Sequence, residues 1–311
     1  MMFKNSIKLF VANFSIFWKV LLYKLIVVLV GVLLFLPVLS ILVEAFQTVN
    51  FLDAFTHFAT NTVFVNLTEL FENLYVLVQT FIDGIYVLLQ TNVFAFIYSI
   101  FLAIIVIPFL YNLSSIPAGE CLYSYMATLS KQKFSIAFIN RIGISSVYSI
   151  FKTLMMIPIM AIFLGGFYGL LMLTTIEGIL QIFLPLIIFI YTVVIVALVI
   201  TFFSGWMPAS VVFNISPALT YKKGLKAVFR RFFRILSTMF IIIFISTFMT
   251  LMFTSISLVI VIPFTEVMVI MFEMVMFFES QGNRYYVDMD TICCPKKLEE
   301  CDSFKKVKSI I

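Results

Sequence analysis

Charge is the scarcest thing in this sequence. Charged side chains make up 11% of the 311 residues, 20 of them basic and 15 acidic, and histidine occurs once, at His57. An ordinary soluble domain carries about 25% charge and is about 45 to 50% apolar. This chain is 63% hydrophobic. So few charges cannot cover that much apolar surface in water, which excludes a water-soluble fold. Catalytic signatures are missing as well. There is no His-Glu-x-x-His, Gly-x-Ser-x-Gly, GxxxxGK[ST] or GxGxxG, and the apolar runs offer no second polar group beside a nucleophile. We therefore expect no enzyme, no cofactor and no nucleic-acid partner.

Cysteine is sparse and poorly spaced for metal. Cys293, Cys294 and Cys301 lack the paired Cys-x2-Cys spacing of a zinc site, and no histidine stands near them. Free thiols are expected at these positions and at Cys121, with a metal-binding or acylated tail as lesser readings. His57 reads as a packed or solvated side chain rather than a ligand. The 38 phenylalanines reflect membrane residence and composition, and carry no functional reading.

What the sequence does have is long apolar runs. Leu25 to Val43, Val93 to Leu113, Thr153 to Leu173 and Ile179 to Phe203 each match the 17 to 25 residues that cross a hydrocarbon core of about 30 Å. Only helices satisfy their own backbone there. The last run, Ile235 to Phe278, is too long for one crossing and is expected to fold back between Thr254 and Pro263, where Ser255, Ser257 and Pro263 interrupt it. The expected architecture is an all-α polytopic bundle. Its transmembrane domain covers residues 1–279, with six spans near 21–43, 93–113, 153–173, 179–203, 235–256 and 260–278, and a tail follows over 280–311.

Charge placement supports six. Lys and Arg in short loops collect on the cytoplasmic side. All 20 fall in four groups: residues 4–24, 131–152, 222–234 and 284–308. With six spans and an inner N-terminus every one is cytoplasmic, whereas five spans would export the basic tail. The plasma membrane, with both termini cytoplasmic, is the expected location. The first run is longer than a signal-peptide core and no small-x-small site follows Val43, so it is expected to remain as an anchor. Lys19 and Lys24 are placed to snorkel to the inner headgroups.

A faint repeat overlies the spans. Ile116-Pro117-Ala118-Gly119 aligns with Met207-Pro208-Ala209-Ser210, and Phe134 to Phe138 with Leu225 to Phe229. Ile7 to Val11 is a third copy of the latter. Each is a basic amphipathic stretch before an inward-starting span, which reads as a short helix lying in the inner interface.

The outer segment 44–92 contains Asn66-Leu67-Thr68-Glu69, an N-cap pattern, followed by apolar residues at helical spacing and an acidic face of Glu69, Glu72 and Asp83. It reads as an amphipathic helix packed on the bundle, or as a lid or partner site.

The segment from Ala209 to Leu236 carries a resemblance. Asn214-Ile215-Ser216-Pro217-Ala218-Leu219, then Tyr221-Lys222-Lys223-Gly224-Leu225-Lys226 and Arg230-Arg231-Phe232-Phe233-Arg234, resembles the inner loop of YciC-like bacterial membrane proteins and of membrane domains attached to some glycerophosphodiester phosphodiesterases. The resemblance covers about 30 residues. It implies membrane architecture and no activity, since no phosphodiesterase domain is present. Lys222, Lys223, Lys226, Arg230, Arg231 and Arg234 are the candidate contacts to anionic inner-leaflet headgroups.

Ionisable groups inside spans mark the candidate site. Glu273 lies within the last run, Glu266 is seven residues earlier on the same helical face, and Lys152 begins the third span at a depth where it could pair with Glu273. Two readings stand: a proton or cation relay, or a structural ion pair. Prolines 37, 108, 158, 185 and 263 in or beside spans read as kinks. Two function classes follow. One is a non-enzymatic accessory or scaffold protein with a membrane or cytoplasmic partner. The other is a small permease or channel for an ion or small solute, with a polar cavity lined by Glu273, Gln181 and Asn112.

Overall fold

The computed structural model describes residues 2–61, 67–173, 179–252, 254–289 and 291–293. The architecture is all-α. α1 (Met2–Ala12) and α2 (Phe14–Phe35) are separated at Asn13. Past a 3-10 turn at Leu36–Val38, which contains Pro37, α3 (Leu39–Thr48) continues the same rod. α4 (Phe51–Asn61) and α5 (Leu67–Thr91) form the segment expected outside. α6 (Val93–Phe101), a π-helical turn at Leu102–Val106 and α7 (Ile107–Asn112) follow, with Pro108 opening α7. Then come α8 (Ser115–Thr128), α9 (Phe134–Met172), α10 (Ile179–Phe203), α11 (Trp206–Phe213), α12 (Pro217–Phe229), α13 (Phe232–Met252) and α14 (Thr254–Gln281). A small antiparallel hairpin, β1 (Tyr285–Tyr286) with β2 (Ile292–Cys293), ends the described chain.

Seven helical stretches among the described residues are long and apolar enough to cross a membrane: Phe14–Thr48, Glu72–Thr91, Val93–Thr128, Phe134–Met172, Leu186–Phe213, Phe232–Thr250 and Ile260–Gln281. Six of them overlap the expected spans. The seventh is the later part of α5, which the sequence assigns to an amphipathic outer helix. Its apolar content meets the length and hydropathy of a span, even though Glu72, Gln79 and Asp83 remain on it. The expected N-cap at Asn66 lies outside the described residues.

Two further boundaries differ from expectation. The last run does not turn between Thr254 and Pro263: α14 is helical from Thr254 onward and holds Pro263 in its interior. Neighbouring helices can satisfy the carbonyl that such a proline frees, so it need not end the helix. The amphipathic stretch from Phe134 is also not a separate helix. It runs without a break into the third span as α9, 39 residues long, because no proline precedes Pro158 in that helix and a single internal glycine, Gly143, lowers helix propensity without ending a helix.

The core sits around the last part of α14. Every residue from Val267 to Phe278 is buried, although a helix turns through all directions over that length. A helix apolar all round belongs in an interior. Its walls are α1, α2, α8, α11, α12 and α13. Four of these are the short helices α1, α8, α11 and α12, so one end of the bundle is a thick layer wrapped around α14, while most other long helices present their apolar sides outward.

That layer is tightly made. A Cβ on Gly205 would fall 2.3 Å from the Gly224 carbonyl oxygen, and one on Gly224 would fall 2.5 Å from that of Gly205. Only glycine lets α11 and α12 touch backbone to backbone here. Trp206 Nε1 donates to the Pro217 carbonyl, and the Ser210 and Thr220 hydroxyls share a hydrogen bond of 2.7 Å. The two proline segments aligned in the sequence pack on each other: Gly119 of α8 faces Met207 and Val211 of α11. Pro117 and Pro208 occupy the third position of their helices. The second aligned stretch is not equivalent, because Phe134–Phe138 opens α9 whereas Leu225–Phe229 closes α12.

Candidate functional site

The candidate residues lie where α2, α7, α8, α9 and α14 approach. Lys24 of α2 is 2% exposed. Its ammonium donates to Glu266 Oε1 at 3.0 Å and to the Tyr111 carbonyl, and lies 3.2 Å from the centroid of the Tyr111 ring. The Ser115 hydroxyl donates to the same carboxylate oxygen at 3.4 Å, while Glu266 Oε2 is buried without a hydrogen-bond partner. Lys24 therefore does not snorkel. Its side chain turns into the bundle because a partly buried carboxylate, a carbonyl and an aromatic face together replace part of its hydration.

Glu273 lies two turns further along α14 and is 8% exposed. Among the described residues it accepts no hydrogen bond and forms no ion pair within 4 Å. The expected direct pairing with Lys152 is not made. Lys152 holds its ammonium 5.4 Å from the centroid of the Tyr148 ring instead. The ion pair at Glu266 is made by Lys24, which the sequence placed at the headgroups.

α9 supplies a feature that sequence reasoning missed. Ser145, Ser149 and Thr153 are each at most 4% exposed, and all three hydroxyls lack a hydrogen-bond partner. Their spacing of four residues places them in one row, and that spacing was the available signal. Buried hydroxyls are ordinarily paired, and each left unpaired costs about 1 to 3 kcal/mol. Tyr148 and Trp206, with ring centroids 5.1 Å apart, stand beside the row. Asn112 does not face this cluster through its amide, which donates to the Pro108 carbonyl one turn back at 2.8 Å. The side chain of Gln181 lies outside the described residues.

The basic candidates of the 222–234 segment divide. Lys222, Lys223, Lys226, Arg230 and Arg234 are exposed, and Lys223 stacks its ammonium 4.2 Å from the Phe213 ring centroid. Arg231 pairs with Glu279 at 3.2 Å and ties α13 to the end of α14. A groove of about 590 Å³ is bounded by Phe229 to Arg234, with exposed Phe229 and Phe233 beside the guanidinium groups. A second groove, about 570 Å³, lies between α2 and the start of α9. Neither is lined by Glu273.

The tail folds back on the same layer. Tyr285 is buried, its hydroxyl donating to Glu279 at 3.0 Å and accepting from the Asn5 amide at 2.9 Å. The Asn5 amide also reaches Cys293 Sγ at 3.4 Å, and Lys8 pairs with Asp288 at 3.6 Å. Burial first, and the nearby Glu279 carboxylate second, push the Tyr285 hydroxyl above its ordinary pKa; burial likewise pushes the Cys293 thiol up. Among the described residues no three His, Cys, Asp or Glu side chains converge as metal ligands would. Cys294 and Cys301 lie outside them.

No family model, no curated protein and no solved structure matches this chain. What is established is an all-α bundle with several helices long and apolar enough to cross a membrane, and with Lys24 and Glu266 paired inside it.

Proposed function

We propose that the chain is a plasma-membrane protein with six crossings and cytoplasmic termini, acting as a non-enzymatic accessory or scaffold protein. The observation that carries this is the burial of α14: its charged face is fastened to α2 by Lys24 and Glu266, and its apolar faces are enclosed by six other helices. Such an axis suits a static frame. The exposed basic side chains at 222–234 would hold that frame on anionic lipid, and the folded tail would present a surface to a membrane or cytoplasmic partner. The likeness of residues 209–236 to YciC-like proteins is in keeping with this reading. Six crossings are supported by charge: a crossing α5 would reverse every later segment and carry Lys131, Lys133 and the 222–234 cluster outside, against the positive-inside rule.

A second reading, a small permease or channel, is favoured by one observation. Glu266 Oε2 and the hydroxyls of Ser145, Ser149 and Thr153 are buried without hydrogen-bond partners, as groups serving a transient ion or proton would be. Reconstitution into sealed vesicles with an ion or pH gradient separates the two. The frame reading expects no flux above empty vesicles for the wild type and for Glu273→Gln. Flux in the wild type that Glu273→Gln abolishes, with folded protein retained, would replace it with the permease.

A further inference from the structure

The groove between α2 and the start of α9 has a composition that the charge cluster does not explain. Lys19 and Lys133 stand in its lining together with Leu22, Tyr23, Ile26 and Phe138, and both lysines are exposed. Neither forms an ion pair among the described residues. No acidic residue lines it. The rest is mostly apolar and open: Leu22 is 60% exposed and Ile139 70%. The floor is fixed, because the Tyr23 hydroxyl donates to the Leu110 carbonyl at 2.7 Å and its ring packs on Phe138 with centroids 5.4 Å apart.

We propose that this groove binds an anionic phospholipid, its phosphate held by Lys19 and Lys133 and an acyl chain lying along Leu22, Ile26, Phe138 and Ile139. Two unpaired ammonium groups at an apolar trough match the two halves of such a molecule, and match neither a neutral lipid nor a soluble anion. The start of α9 adds positive potential of the same sign, since Lys133 is its N-cap, no side chain caps it and no acidic residue occupies its first turn. The leaflet in which the lipid resides rests on the orientation proposed above. The chemistry of the groove does not, so a reversed topology would leave the binding result unchanged.

The experiment uses the full chain purified in a neutral detergent, with bound lipid counted by native mass spectrometry during titration with phosphatidylglycerol, phosphatidylcholine or inorganic phosphate. Phosphatidylglycerol should bind saturably and more tightly than phosphatidylcholine, and inorganic phosphate should not displace it at equal concentration. Lys19→Gln with Lys133→Gln should weaken it on the order of tenfold, whereas Lys131→Gln should not. Ile139→Trp should block the trough with both lysines in place. As a check that needs no variant, phosphatidylglycerol with a photoreactive acyl chain should label peptides containing Leu22, Ile26, Phe138 or Ile139 in the wild type. Equal affinity for both lipids, unchanged binding in the double variant, displacement by phosphate, or labels elsewhere than this groove would each overturn the proposal.

Discussion

Lys24 and Glu266, 242 residues apart in the chain, meet at 3.0 Å in the interior and join α2 to α14. A pair of this kind, its lysine buried and its carboxylate partly so, adds little over an apolar replacement of both partners, but removing one leaves an uncompensated charge. Lys24→Met should destabilise the protein by about 3 to 5 kcal/mol, and Glu266→Met by a similar amount. The double substitution should recover most of that loss. Thermal unfolding in detergent of the two single variants and the double variant checks this, and additive losses in the double would contradict it.

The backbone contact between Gly205 and Gly224 leaves no room for a methyl group on either residue. Gly224→Ala should cost about 1 to 3 kcal/mol, because both neighbouring atoms are backbone and cannot rotate away. Gly143→Ala is the control, since its Cβ would meet nothing within 4 Å and it lies in the interior of α9. That change should be neutral or slightly stabilising by helix propensity.

The hairpin of the tail should come away from α1 at alkaline pH. Burial holds the Cys293 thiol and the Tyr285 hydroxyl neutral past their ordinary ionisation. The undocked tail loses those protons first, so docking is at full strength below about pH 8.5, the ordinary thiol pKa, and weakens as pH rises beyond it. Alkylation of Cys293, measured relative to the denatured chain in a Cys294→Ser, Cys301→Ser background, should be slow at pH 7 and approach the denatured rate as pH climbs. Asn5→Leu should shift that rise to lower pH.

Much of this was legible in the sequence. The apolar runs found six of the seven span-length helices, and the positions of Glu266 and Glu273 on one face followed from their spacing of seven. Partner choice did not. Lys24 reads as an interfacial lysine because nothing local reveals a carboxylate 242 residues away, and Lys152 reads as a partner of Glu273 because the two share an expected depth. The row of Ser145, Ser149 and Thr153 was visible as spacing, yet short hydroxyls are compatible with ordinary helix surface and burial alone made them notable. α5 was read by its acidic face, whereas its length and apolar content also fit a crossing.

That last point makes the side on which the tail lies the most direct test of the architecture. Reporter fusions after residues 60 and 300, read in intact and permeabilised cells, distinguish six crossings from seven. Six crossings predict that the fusion after residue 60 is outside and the fusion after residue 300 is cytoplasmic. An external reporter after residue 300 would mean that α5 crosses, and would contradict the account.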